Sequence, residues 1–136
     1  MKRFFAVLFA ALMFTPAAYA SRNAVLDNVR DKVILQTPSE QAGKKTREAI
    51  LQSAQQHGWK TVQDTPPVLQ LRLDVRNKHS IVVNVTVKGN KVDVDYVDSI
   101  NMYYRKYEDG QESIHSSYNR WVANLLETAR NNAAMQ

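Results

Sequence analysis

From Leu69 to Tyr96 apolar residues take every second position: Leu69, Leu71, Leu73 and Val75, then Ile81, Val83, Val85 and Val87, then Val92, Val94 and Tyr96. Polar residues fill most of the gaps. A period of two is that of side chains along a strand, and one apolar face beside one polar face predicts antiparallel strands covered on one side. Gly89-Asn90 reads as a two-residue hairpin turn. It pairs Lys88 with Lys91, Val87 with Val92, Val85 with Val94 and Val83 with Tyr96, and so sends all six apolar side chains the same way. In the preceding hairpin Val75 and Ile81 must share that face, which requires an odd loop. A three-residue loop at Asn77-Lys78-His79 meets the requirement. The predicted apolar rows are then Leu69–Val87–Val92, Leu71–Val85–Val94 and Leu73–Val83–Tyr96. Gln70, Arg72, Asn84, Thr86, Asp93 and Asp95 form a solvated opposite face. The last strand is expected to continue through Ile100, Met102 and Tyr104. Asp98 falls on its apolar parity, so either a bulge turns it out or an acid ends the core face.

Helical periodicity flanks these strands. Thr37-Pro38-Ser39-Glu40 has the form of a capping box with proline at the first helical position. Ala42, Thr46, Ala49, Ile50, Ser53, Ala54 and His57 follow as one stripe, and Gly58 suits a left-handed C-terminal cap. Small residues dominate the stripe, so the helix can approach the sheet closely. Trp59 is expected to fold back into the core. Lys60–Gln63 suits a short edge strand, and Asp64-Thr65-Pro66-Pro67 breaks the chain. After a turn at Tyr107-Glu108-Asp109-Gly110, a second helix is expected with Ile114, Tyr118, Trp121, Val122, Leu125 and Ala129 on one face. The pattern predicts an α+β fold, an antiparallel three- to four-stranded meander with two helices packed on one face, ordered helix–strands–helix.

The ends of the chain are of another kind. Met1-Lys2-Arg3, the apolar run Phe4 to Phe14 and the small residues through Ala18-Tyr19-Ala20 predict a cleaved signal peptide over residues 1–20. Residues 21–36 form an arm: Val25, Val29 and Val33 have helical spacing, Val33-Ile34-Leu35 could be a strand, and the arm is expected to pack its apolar residues on the domain. Residues 37–131 make that domain and 132–136 a frayed tail. Loss of Lys2 and Arg3 takes the net charge from +5 to +3. That mild balance, without a nucleic-acid motif, excludes a nucleic-acid partner. Cysteine is absent, so an exported domain must fold on its core alone, and no lipid can be attached at the cleavage site. The expected location is the periplasm, with no stable membrane anchor after cleavage.

Several short stretches carry a resemblance. Gly58-Trp59, Arg76, His79, Tyr96, Ser99, Asn101-Met102, Ile114-His115, Tyr118-Asn119, Trp121-Val122 and Leu125 resemble a family of small exported proteins and lipoproteins of Gram-negative bacteria. The likeness covers most of Thr37 to Leu126, and the run Ile114-His115-x-x-Tyr118-Asn119-x-Trp121-Val122 is its most specific part. It implies an exported protein and assigns no activity. Membrane anchoring does not carry over, because the lipidation cysteine is missing.

Candidate chemistry is sparse. His57, His79 and His115 lie in no metal-ligand spacing, so neither a metal nor another cofactor is expected. His57 suits the C-terminal end of a helix dipole. His115, read as lying in the first turn of the last helix, could meet Asp98 or Ser99. A Ser99–His115–Asp98 catalytic set is one reading. A structural network tying helix to strand is the favoured one, as no nucleophile elbow or oxyanion loop is present. Tyr103, Tyr104, Tyr107, Tyr118 and Trp121 are expected to fill the core or its rim, with stacking on a sugar or peptide as the functional alternative. The candidate binding residues are His79, Asp98, Ser99, Asn101, His115, Tyr118 and Asn119. The function expected is that of a non-enzymatic binding protein whose partner is an envelope protein or polymer. The alternatives are a small periplasmic hydrolase using His115 and an inhibitor-like or chaperone-like module.

Overall fold

The computed structural model describes residues 23–136; the signal-peptide reading lies outside them. The Gly89-Asn90 turn forms as its sequence dictates. Gly89 takes the left-handed backbone (φ 62°), and strands β5 (His79–Lys88) and β6 (Lys91–Ile100) pair Lys88 with Lys91, Val87 with Val92, Val85 with Val94 and Val83 with Tyr96. The loop before β5 is odd in length, but it is Arg76-Asn77-Lys78. Arg76 and Asn77 are left-handed, and Lys78 donates its N–H to the Val75 carbonyl at 3.1 Å. β4 (Val68–Val75) therefore sits two residues from the expected register, pairing Leu69 with Val85, Leu71 with Val83 and Leu73 with Ile81. A shift of two leaves every side chain on its face, so hydrophobicity alone could not choose between the two registers.

Strand β3 (Trp59–Thr65) joins β4 through the Pro66-Pro67 turn and forms one edge of the sheet. Its two ends differ. Trp59 is buried, whereas residues 60–65 are exposed. On the far side of β6 the arm supplies β2 (Val29–Val33), giving five antiparallel strands in the order β2-β6-β5-β4-β3. The arm thus reaches the sheet as a strand, with an irregularity between Val29 and Lys32 where Asp31 turns left-handed.

Helices α1 (Ala42–His57) and α2 (Ser117–Ala134) are buried along one stripe each and share one core with Leu69, Leu71, Val83, Val85, Val92 and Val94. The small-residue stripe of α1 lets the helices touch: Ser53 Oγ donates to the Leu125 carbonyl at 2.6 Å. Gly58 caps α1 in the left-handed conformation (φ 85°). The capping box does not form. The helix starts at Ala42 with Gln41 at the cap position, and the Ser39 hydroxyl instead accepts the Gln41 N–H. At the other end of the chain, α2 runs past the expected tail, burying Asn132 and Ala133.

The largest departure lies after Tyr96. Val97 is a bulge: Tyr96 pairs with Val83, but Asp98 pairs with Val82. Parity reverses there, so Asp98 turns out to solvent and Ser99 comes level with buried Ile81. β6 then ends at Ile100 instead of continuing to Tyr104. Ile114 and His115 do not belong to the last helix. They end β8 (Glu112–His115), the centre of a second sheet between β1 (Asn23–Val25) and β7 (Arg105–Lys106). The arm therefore links both sheets, with β1 on one and β2 on the other.

Candidate functional site around Tyr103

The chain leaves β6 through two left-handed residues, Asn101 (φ 58°) and Tyr103 (φ 56°), placed either side of Met102. The double reversal drives Met102 into the core and Tyr103 out of it: Met102 is buried and Tyr103 is 64% exposed. Asn101 is a residue type that tolerates this backbone. Its Nδ2 donates to the Lys78 carbonyl at 2.7 Å, and its own carbonyl accepts His79 Nδ1 at 2.9 Å. The β4–β5 loop is thereby tied to the corner. Tyrosine is not such a type, and a bulky side chain at positive φ costs about 1–3 kcal/mol, retained where the surroundings enforce it. Here the Met102 carbonyl accepts the His115 N–H at 2.8 Å. The Tyr103 ring lies over the His115 ring, with centroids 6.3 Å apart and planes 25° apart.

β8 alternates between two environments, as a strand must. Ile114 is fully buried, and Glu112 receives the hydroxyl of Tyr104. Ser113 and His115 therefore point the opposite way. Val25 and Arg105 flank Ser113 across the ladder, and Asn23 lies opposite His115. The ladder continues past β7, since Tyr107 N–H donates to the Gln111 carbonyl at 2.8 Å. The Tyr107 hydroxyl lies 3.5 Å from Ser113 Oγ, and the Arg105 guanidinium sits over the Tyr107 ring, 5.3 Å from its centroid. The result is an outward face bearing Tyr103, Arg105 and Tyr107 in a row, with His115, Ser113 and Val25 beside them. Tyr107 is 45% and Val25 56% exposed.

The inward side holds the other tyrosines. Tyr96 stacks on Tyr104 at 4.3 Å and meets Tyr118 edge-on at 5.9 Å. The hydrogen bond to Glu112, aided by burial, pushes the Tyr104 hydroxyl up to about 12. Burial raises the hydroxyls of Tyr96 and Tyr118 above the ordinary tyrosine range. Among the described residues Tyr118 Oη has no hydrogen-bond partner.

The sequence-derived candidates separate on this framework. His79, Asn101 and His115 gather around the corner. Ser99 and Asp98 are neighbours on opposite faces of β6, and each is engaged: the Ser99 hydroxyl lies 2.7 Å from Tyr96 Oη, and the Asp98 carboxylate accepts the Ser99 N–H at 2.8 Å. His115 Nδ1 accepts the Ser117 N–H at 3.0 Å, tying the strand to the first residue of α2. Tyr118 is a core residue. Asn119 clamps the arm, accepting from Asp27 N–H and donating to the Val25 carbonyl at 2.9 Å. Tyr103 and Tyr107, expected with the other tyrosines at the core or its rim because residue type alone groups them with the inward-facing Tyr104 and Tyr118, are instead exposed. The period of two was the available signal.

Among the described residues no group of histidines and carboxylates could hold a metal, and no helix is long and apolar enough to cross a membrane. In comparisons with known proteins the chain matches no family model, no curated protein and no solved structure.

Proposed function

We propose that this is a non-enzymatic binding protein of the bacterial envelope, exported to the periplasm through its N-terminal signal, which contacts its partner through the face carrying Tyr103, Arg105, Tyr107 and His115. The observation that carries this reading is the backbone of Tyr103. A strained left-handed tyrosine displayed to solvent gains little for the fold, and strain of this kind gathers where a side chain must be presented. Tyrosine and arginine are also the residues that dominate contact surfaces, because a rigid ring with a polar tip covers area at small entropic cost. The hydrolase alternative has less support. Ser99 and Asp98 point to opposite faces of one strand, and His115 Nδ1 is occupied by the N-terminus of α2.

The test is capture from an envelope extract by the protein and by its Tyr103→Asn variant, with urea melts of both. Asparagine accepts the left-handed backbone, so the variant should fold as stably as the parent, or more so by about 1 kcal/mol. A stoichiometric partner held by the parent and lost by Tyr103→Asn is the expected result. Equal capture by both proteins would remove this face from the function.

A further inference from the structure

A second site lies at the opposite end of β5. The Pro66-Pro67 turn is laid against that end by the Val87 N–H, which donates to the Pro67 carbonyl at 2.9 Å. The start of α1 stands beside the turn, and a hollow of ≈ 310 Å³ opens between them. That volume is at the lower end of small-ligand sites, which run from about 300 to 1,000 Å³. The floor is aliphatic, made by Pro66, Pro67, Val68, Leu69 and Val87. The helix does not seal it, for Val68 and Val87 are only half-buried.

The rim is cationic. Lys44 and Arg47 of α1 line it with Asp64, and Arg47 pairs with Asp64. Lys44 is exposed and has no acidic partner among the described residues. The first turn of α1 carries no acidic side chain. Two cations against one acid leave one positive charge at the mouth of an apolar hollow. Gly43 completes the wall. Glycine weakens a helix relative to alanine, yet a Cβ built there would meet nothing within 4 Å. Packing does not call for glycine, and a side chain at that position would narrow the space it borders.

We propose that this hollow binds a single aliphatic chain ending in a carboxylate. The chain lies on Pro66, Pro67, Val68 and Val87, where it sheds apolar surface from water. The carboxylate meets the Lys44 ammonium, the charge at the rim left without a counterpart. Chain and anion are both required: the floor offers an anion alone nothing, and the rim offers a neutral head group only ordinary hydrogen bonding.

The test titrates decanoate, below its micellar range, into the isotopically labelled protein and follows backbone amide shifts. Decanol and acetate are titrated in parallel, so that anion and chain are removed one at a time. The expected result is saturable binding of decanoate with shifts centred on Gly43, Lys44, Val68 and Val87, binding of decanol weaker by about threefold, and binding of acetate weaker by about tenfold or more. Lys44→Glu should weaken decanoate by at least about tenfold. Gly43→Leu should abolish binding while its thermal midpoint is kept or raised, which separates a filled hollow from a damaged fold. Decanol binding as tightly as decanoate, shifts centred elsewhere, undiminished binding by Gly43→Leu, or no saturable binding would each overturn the proposal.

Discussion

Tyr118 and Trp121 stand three residues apart on α2 and meet opposite circumstances. The Tyr118 ring is fully buried beneath Tyr96, and its hydroxyl is left without a partner among the described residues. A buried hydroxyl with nothing to bond costs about 1–3 kcal/mol, and its removal without change of shape returns part of that. Tyr118→Phe is therefore expected to leave stability unchanged or raise it by about 1 kcal/mol in urea melts. A loss of similar size would mean that the hydroxyl bonds after all. Trp121 only borders the core, on a hollow shared with His57, Trp59 and Leu73. Truncation of a buried tryptophan costs about 3–5 kcal/mol, so Trp121→Ala should cost about half as much. A full-sized loss would place the ring deeper than its half-buried position.

At the scale of elements, the arm packs four apolar side chains on the core, Leu26, Val29, Ile34 and Leu35, and adds a set of polar ties to the sheets and to α2. Leu26 and Ile34 are its buried anchors; the Leu26 N–H donates to the Glu112 carbonyl and the Ile34 N–H to the Asn90 carbonyl. Asn119 grips the chain on both sides of Leu26, and Asn28 accepts the Tyr96 N–H at 3.1 Å beside the bulge. Beyond it Arg30 pairs with Asp95, and Lys88 bridges Asp31 and Asp93. The bond from Asp31 N–H, then the one from Lys88, hold the Asp93 carboxyl below the usual carboxylate range. Arg30, Asp31 and Lys88 are exposed and only Asp93 is well covered, which limits the worth of these pairs. Asn119→Ala should then lower global stability by only about 1 kcal/mol, while amide exchange speeds up selectively at Leu26 and Asp27. Uniform acceleration across β4 and β5 would show instead that the arm and the sheet open as one unit.

For the whole molecule, the tyrosine layer between the two sheets sets an alkaline limit. Tyr96, Tyr104 and Tyr118 all hold their protons more tightly folded than free, chiefly through burial for Tyr96 and Tyr118 and through the bond to Glu112 for Tyr104. The stability they contribute is fully present below the ordinary tyrosine range near 10 and is lost as pH rises toward the folded value, about 12 for Tyr104. Urea midpoints should fall steadily between about pH 10 and pH 12. The decline should be shallower in Tyr104→Phe. An identical slope in that variant would remove the Tyr104–Glu112 pair from the account.

The sequence by itself determined the antiparallel α+β fold, the β5–β6 register, the apolar face and the stripes of both helices, because each follows from a local period and a turn residue that agree. It left the arm, the second sheet and the place of His115 to tertiary structure. Val29–Val33 has spacing that fits a helix, and it becomes a strand because β6 offers an open edge. Ile114 fits the period of the helix that follows it, and it becomes a strand because β1 and β7 flank it. A single extra residue at Val97 reverses parity and so decides that Asp98 faces water and Ser99 the core. The contact face around Tyr103 arises in the same way: left-handed turns at Asn101 and Tyr103 carry no pattern in hydrophobicity, and together with the pairing of β7 to β8 they bring a row of three exposed side chains beside His115.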